Sequence, residues 1–306
     1  MGMGIKMESS NSPLISVVMP AFNERPDMIA DAIRSILQQT YRNFELHIFD
    51  DSTNDETKAA IDSFCSDPRV SIHRAAERVG FIKSLNLGLE ASKGQFIARM
   101  DGDDFSHLER FEKEVAYLET HPDVMVVGGQ MNIMDENGRI TSSRSYPTGG
   151  FKLSLFSCVR NPLAHPTVMM RREIVDRGYR YDESLKMSED LDFWLRLMND
   201  GYRIANLPDT VLDYRVMGNF LEKRSSDVQR EVMAQVRRKN FSRRHPVHSV
   251  LSVFSGWLFT HVPRGTIDKA YPDSNMIFPR FSLLDGSLSI PLTKQLVRPF
   301  GMLSPI

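Results

Sequence analysis

The chain has 306 residues, with 38 basic and 39 acidic side chains for a formal net charge of −1; 41% of residues are hydrophobic and 25% charged. That balance fits a folded globular protein with one large α/β domain and an appendage, or with two domains. It excludes disorder, collagen-like repeats and a polytopic membrane protein. A near-neutral charge gives no whole-molecule attraction to nucleic acid, so none is expected as a partner.

Ile15 to Met19 reads as a short buried strand ended by Pro20. Pro26-Asp27 opens a helix whose Ile29, Ala32, Ile33, Ile36 and Leu37 follow the i, i+3, i+4, i+7, i+8 rule. A strand from Phe44 to Phe49 stops at Asp50-Asp51-Ser52-Thr53, a turn-and-cap cluster, and a helix follows to about Phe64. A strand at Val70 to His73, a helix over Gly80 to Ala91 and a strand from Gln95 to Met100 come next, the last ending at Asp101-Gly102-Asp103-Asp104. This alternation predicts right-handed crossovers and a mainly parallel sheet flanked by helices.

Further on, the pattern predicts a helix over His107 to His121 and a strand over Val124 to Met134. Gly138 to Thr148 reads as a hairpin or loop, Phe151 to Cys158 as a short helix and Thr167 to Arg171 as a strand. Ser188 to Asn199 is an amphipathic helix, and Val211 to Val216 closes the sheet. Leu221 to Arg244 is helical and basic, while the remainder shows no clear periodicity.

Ligands of open parallel sheets bind at the carboxyl ends of the strands. Asn23-Glu24, Asp50-Asp51 and Asp101 to Asp104 all fall there. The carboxylates after Met100 repel one another unless a cation or donors relieve them. Hard oxygen ligands of this kind suit Mg²⁺ or Mn²⁺ holding a diphosphate. A solvated acidic turn capping the next helix is the alternative. Asp50-Asp51 suits ring N–H or ribose hydroxyl donors, although Ser52, Thr53 and Asn54 equally fit an Asx turn and helix cap. Glu189 and Asp190 open a helix, where acids favour the macrodipole; a general base is the functional reading. His165, between Pro162 and Pro166, is either a local hydrogen-bonding group or a contact to acceptor, phosphate or metal.

Cys65 and Cys158 are too few for a disulfide framework or a cysteine-built zinc site, and read as free thiols in a reducing cytosol. Met1 to Ser12 has no apolar run typical of a secretory signal, so a cytoplasmic location is expected. Val250 to Val262 is apolar but falls short of the roughly 20 residues that span a bilayer. No dinucleotide Gly-x-Gly-x-x-Gly, P-loop, Gly-x-Ser-x-Gly elbow or His-Glu-x-x-His occurs.

Taken in order, these residues resemble family 2 glycosyltransferases. Val17-Val18-Met19-Pro20-Ala21-Phe22-Asn23-Glu24 is similar to that family's first strand and loop, and Phe49 to Thr57 to its Asp-Asp-x-Ser-x-Asp-x-Thr segment. Arg78-Val79-Gly80 through Asn86-Leu87-Gly88-Leu89 resembles its Asn-x-Gly…Asn-x-Gly-Leu stretch, and Asp101-x-Asp103 its metal motif. His165-Pro166-Thr167-Val168-Met169 and Glu189 to Trp194 are similar to its downstream segments. The resemblance spans roughly residues 14 to 216.

It implies an A-type glycosyltransferase fold, Rossmann-like, at residues 14–220, after a flexible N-terminus at 1–13 and before a helical extension at 221–306 that is basic and then apolar. The implied activity is inverting transfer from a nucleotide-sugar, with uridine the favoured base, to a hydroxyl of a glycan or lipid-linked acceptor. Pro20, Ala21, Phe22, Glu24, Asp50, Asp51, Arg78, Asp101, Gly102 and His165 would face the nucleotide-sugar. Asp103 would bind Mn²⁺ or Mg²⁺, and Asp190, with Glu189 beside it, would be the base. Tyr214-Arg215-Val216-Met217 lacks the His that many relatives carry there. A sugar nucleotidyltransferase and a non-catalytic scaffold are the alternatives; the first lacks its Gly-rich loop, and the second would predict loss of Asp103 or Asp190. Arg237, Arg238, Lys239, Arg243 and Arg244, followed by Val250 to Val262, raise the further expectation of peripheral contact with an anionic membrane. A solvated helix face and a segment docked on the core is the simpler reading.

Overall fold

Three parallel pairings bring the first four strands together: β1 (Ile15–Ala21) lies between β2 (Phe44–Asp50) and β4 (Phe96–Arg99), with β3 (Val70–His73) outside β2. The computed structural model describes residues 12–217 and 227–261, and all statements below concern these. Helices α1 (Pro26–Leu37), α2 (Asp55–Asp62) and α3 (Phe81–Ala91) make the crossovers. Of the stripe expected on α1, Ile29, Ala32, Ile33 and Ile36 are fully enclosed and Leu37 is half-buried. Each large apolar side chain enclosed in this way contributes about 1.5–3 kcal/mol. Asn54 caps α2 by accepting from the Thr57 N–H at 2.7 Å, a contact worth about 1 kcal/mol.

Pro20 does not end β1. The strand continues to Ala21, and Pro20 pairs in register with Phe49 of β2. The β1–β4 ladder stops at Val18–Arg99, so no strand on that side needs an N–H from Pro20.

The second half of the sheet is mixed. Across it run β5 (Phe105–Ser106), β6 (Val124–Met134), β7 (Ile140–Arg144), β8 (Met169–Arg171) and β9 (Arg203–Arg215), in the order β3-β2-β1-β4-β8-β6-β9-β5 with β7 on β6. β8 is antiparallel to both β4 and β6, and β9 is parallel to β6. The region after Gly138 is a hairpin strand, as the turn residues predict. β9 is far longer than the closing strand expected at Val211, because Pro208 falls where its register with β6 is irregular. Helices α4 (Arg110–Thr120), α5 (Gly150–Ser157), α6 (Glu173–Asp176) and α7 (Glu189–Asn199) complete this half. Phe193 and Trp194 of α7 are fully buried in a cluster with Leu85, Leu163, Val168 and Tyr181.

The basic segment forms α8 (Asp227–Lys239), and Pro246–His261 of the stretch without clear periodicity is helix α9; residues 262–306 of that stretch lie outside the described ones. Residues 218–226 of the predicted Leu221–Arg244 helix lie outside the described ones. Two members of the basic cluster are tied to neighbouring elements. Arg237 is buried and donates to the Ser157 carbonyl at 2.6 Å and Ser252 Oγ at 3.0 Å. Lys239 pairs with Asp182 and, at 3.0 Å, with Asp192. Val232, Met233 and Val236 of α8 pack on Leu191 and Leu195 of α7.

Candidate active site

Because β1, β2 and β4 are parallel, the loops that follow them meet at one sheet edge. Asn23 stitches the first two loops. It sits at φ 57°, a left-handed conformation that Asn tolerates better than most residues, and Asn23 Oδ1 accepts from the N–H groups of Thr53 (2.8 Å) and Asn54 (3.3 Å). Next to it Glu24 folds back to accept the Phe22 N–H with both oxygens, at 2.9 and 2.8 Å. Burial pushes the Glu24 carboxyl up, aided by the charges of Asp101 and Asp50 and opposed by those backbone donors.

Phe22 is exposed at this edge, and the Arg78 guanidinium lies 3.6 Å from its ring centroid, a cation–π stack. Asp51 accepts the N–H groups of Val79 (3.1 Å) and Gly80 (2.6 Å), which draws the α3 entry loop over the ends of β1 and β2. Gly80 holds φ 87° there, a conformation that favours glycine. Pro20 and Ala21 form the buried floor. Asp50 takes the Asx-turn alternative. Its side chain is fully buried, bound by Arg74 Nε at 2.7 Å and by the Ser52 N–H at 2.9 Å, so it anchors the loop.

The third loop gathers the acids. Oxygens of Asp101, Asp103 and Asp104 lie within 4.8 Å of one another. Burial, then the charges of Asp101 and Glu24, push the Asp103 carboxyl up to about 7. Asp104 is raised well above its ordinary value by burial and by Asp103 and Asp101. Its Oδ1 accepts the Arg215 N–H at 2.8 Å, while Oδ2 is buried without a hydrogen-bond partner. Gly102 makes the approach possible: a Cβ there would sit 2.9 Å from Ile29 Cδ1 and 3.2 Å from Glu24 Cδ. A compact all-oxygen donor set with an orphaned buried oxygen fits a hard divalent cation.

Sequence reasoning missed the counter-charge. Arg99, at the end of β4, is buried and pairs with Asp101, while its Nε and Nη1 find no hydrogen-bond partner. The i, i+2 spacing of Arg99 and Asp101 was the available signal.

Glu189 and Asp190 stand at the start of α7. Ser188 enters it at φ 62°, and Asp190 turns so that Oδ2 accepts from Asn161 Nδ2 at 2.5 Å and Oδ1 from the Leu191 N–H at 2.7 Å. Glu189 is nearly buried; desolvation and then the Asp190 charge push its carboxyl up to about 7. Asp101 also acts on Glu189, which links α7 to the acid loop electrostatically. His165 lies beside Glu189 and is not a member of the Asp101–Asp103–Asp104 group. Its Nδ1 is 3.9 Å from Glu189 Oε1 and its Nε2 2.9 Å from Tyr181 Oη. Asn86 in turn grips the Tyr181 backbone at both N–H (2.9 Å) and carbonyl (3.0 Å). Met217 is exposed where a histidine would stand in many relatives.

Phe22, Glu24, Asp51, Arg78, Asp101, Gly102 and Asp103 thus stand on the loops that follow β1, β2 and β4 or on the α3 entry loop, and Glu189 and Asp190 open α7, linked to them through the charge of Asp101 on Glu189. Residues 16–179 match the family model described as glycosyl transferase family 2. The chain is 32% identical over 213 residues to the amylovoran biosynthesis glycosyltransferase AmsE of Erwinia amylovora, covering 69% of this chain and 79% of that one. Among solved structures it is similar to S. aureus TarS 1-349 in complex with UDP-GlcNAc, with a TM-score of 0.62 at 19% identity, over 80% of this chain and 72% of that one. It is also similar to the mannosyltransferase PcManGT of Pyrobaculum calidifontis in complex with GDP-Man and Mn²⁺, with a TM-score of 0.56 at 16% identity, over 88% and 82%. These structural likenesses carry the A-type fold, and the sequence match carries the classification: the chain belongs to glycosyl transferase family 2, and is a glycosyltransferase.

Proposed function

We propose that the chain transfers a hexosyl or N-acetylhexosaminyl group from a UDP-sugar to a hydroxyl of a glycan or lipid-linked acceptor, by one inverting displacement, in polysaccharide or glycoconjugate assembly on the cytoplasmic side. The observation that carries this reading is the Asp101–Asp103–Asp104 cluster at a strand end, whose Asp101 acts electrostatically on Glu189, the neighbour of an Asp190 fixed by Asn161 and the Leu191 N–H. The relative's role in amylovoran biosynthesis supports the polymer, and the neighbour's complex with UDP-GlcNAc supports the base.

Pro20, Ala21 and Phe22 form the base platform, closed by Arg78, and Glu24 and Asp51 face base and ribose. Asp101, steadied by Arg99, reaches the ribose or sugar. Asp103 with Asp104 would hold Mn²⁺ or Mg²⁺, whose charge offsets that building on a departing diphosphate. Asp190 takes the acceptor hydroxyl proton as the oxygen attacks the anomeric carbon from the face opposite the leaving group. An α-linked donor therefore yields a β-glycoside. Glu189 and His165 shape the acceptor wall beside that base.

The test is UDP release from a panel of UDP-sugars with glycan and lipid-linked acceptors, for the native protein and for Asp190→Asn. Acceptor-dependent release that falls about a thousandfold or more in the variant is expected. Release that survives the substitution, or UDP binding without any turnover, would replace the enzyme by a scaffold.

A further inference from the structure

Helix α9 is amphipathic the wrong way round for a helix packed on a core. Its inward face is small and polar: Ser249, Ser252, Ser255 and Gly256 are buried. That face is hydrogen-bonded throughout, Ser252 Oγ accepting from Arg237, Ser255 Oγ donating to the Cys158 carbonyl and Ser249 Oγ donating to the Ser242 carbonyl. A Cβ on Gly256 would lie 3.1 Å from the Ala234 Cα, so the serine and glycine face lets α8 and α9 approach closely.

The outward face holds Val247, Val250, Leu251, Phe254, Trp257 and Leu258, which are 39% to 73% exposed. Their i, i+3, i+4, i+7, i+10, i+11 spacing makes one continuous apolar stripe on a helix about 24 Å long. Along the chain around it the charge has one sign, and Asp200 lies 4.0 Å from Arg244. The sequence carries no Asp or Glu from residue 232 to residue 267, and Arg238, Arg243 and Arg244 are exposed just before the helix. No described helix is long and apolar enough to cross a membrane.

We propose that this stripe docks flat on an anionic lipid bilayer, with Phe254 and Trp257 entering the headgroup–acyl boundary and Arg238, Arg243 and Arg244 meeting the headgroups. An uncharged Trp/Phe/Leu face flanked by Arg is the chemistry of an interfacial helix. Each Arg near an anionic surface strengthens binding about fivefold.

The experiment is flotation of the full chain with vesicles of phosphatidylcholine alone or with 25% phosphatidylglycerol. Quenching of tryptophan by bromolipids is read alongside; Trp194 is fully buried, so the quenched residue is Trp257. Strong binding to anionic vesicles with quenching is expected. It should fall roughly thirtyfold in Phe254→Ser/Trp257→Ser and about twentyfold in Arg243→Ser/Arg244→Ser, with unchanged thermal melting. Absence of binding to anionic vesicles overturns the proposal, as does binding that neither double variant weakens. Self-association lost in Phe254→Ser/Trp257→Ser without lipid binding would make the partner a second copy. Trp257 shielded from iodide without lipid or self-association would make it residues 262–306.

Discussion

Asn161 Nδ2 donates to Asp190 Oδ2 at 2.5 Å, while the neighbouring Leu191 N–H fixes the other oxygen at 2.7 Å. Two donors on a carboxylate hold its orientation. Asn161→Ala should therefore lower kcat about 10- to 100-fold with little change in KM for the donor. Steady-state kinetics of both proteins check it; an unchanged kcat would mean that Asn161 does not steady the base.

Gly102 is the point where the acid loop touches α1. A methyl group there meets Ile29 and Glu24 at 2.9 and 3.2 Å. Gly102→Ala should cost about 1–3 kcal/mol of stability through overpacking and weaken UDP binding about tenfold, because Glu24 must give way. Denaturant melts and UDP titration measure the two effects separately.

The raised carboxyls at Asp103 and Glu189, both about 7, have a linkage sign. Between the ordinary carboxylate range and about 7 the folded state binds more protons than the unfolded, so stability falls as pH rises through that window. A cation that binds the deprotonated acids reverses the loss. Mn²⁺ should raise Tm more at pH 8 than at pH 5.5, by about 2.7 kcal/mol of stability at a hundredfold excess over Kd. Asp103→Asn should flatten both the pH slope and the Mn²⁺ response in a thermal-shift series.

Lys239 ties α8 to the catalytic half through Asp182 and the fully buried Asp192. Lys239, with Ser184, holds the Asp182 carboxyl well below its ordinary value. Burial pushes Asp192 up, but Asn240, Lys239 and Arg196 outweigh it and hold it low. These contacts stabilise above pH 3.8 and are lost as pH falls through the folded values. Lys239→Met should cost about 1–2 kcal/mol at pH 7, a gap that narrows in acid. Parallel melts at pH 7 and pH 3 read it.

Much of the fold was legible because its early strands are short apolar runs punctuated by Asn, Asp and Gly. The acid cluster was legible because consecutive carboxylates at a strand end have few purposes. What escaped was set by tertiary partners. The fate of Asp50 depended on Arg74, twenty-four residues on, and that of His165 on Tyr181 and Glu189. Arg99 reads in sequence as an ordinary strand residue, yet it is the buried counter-charge of the acid loop. Helix α9 escaped because its serine face is the buried one, which defeats an amphipathic search for an apolar core stripe.

Calorimetric titration with UDP, with and without Mn²⁺, for the native chain and Asp103→Ala tests the central claim most directly. The account predicts binding that weakens at least tenfold when either the metal or the carboxylate is removed. UDP binding indifferent to both, or no binding of any nucleoside diphosphate, would contradict it.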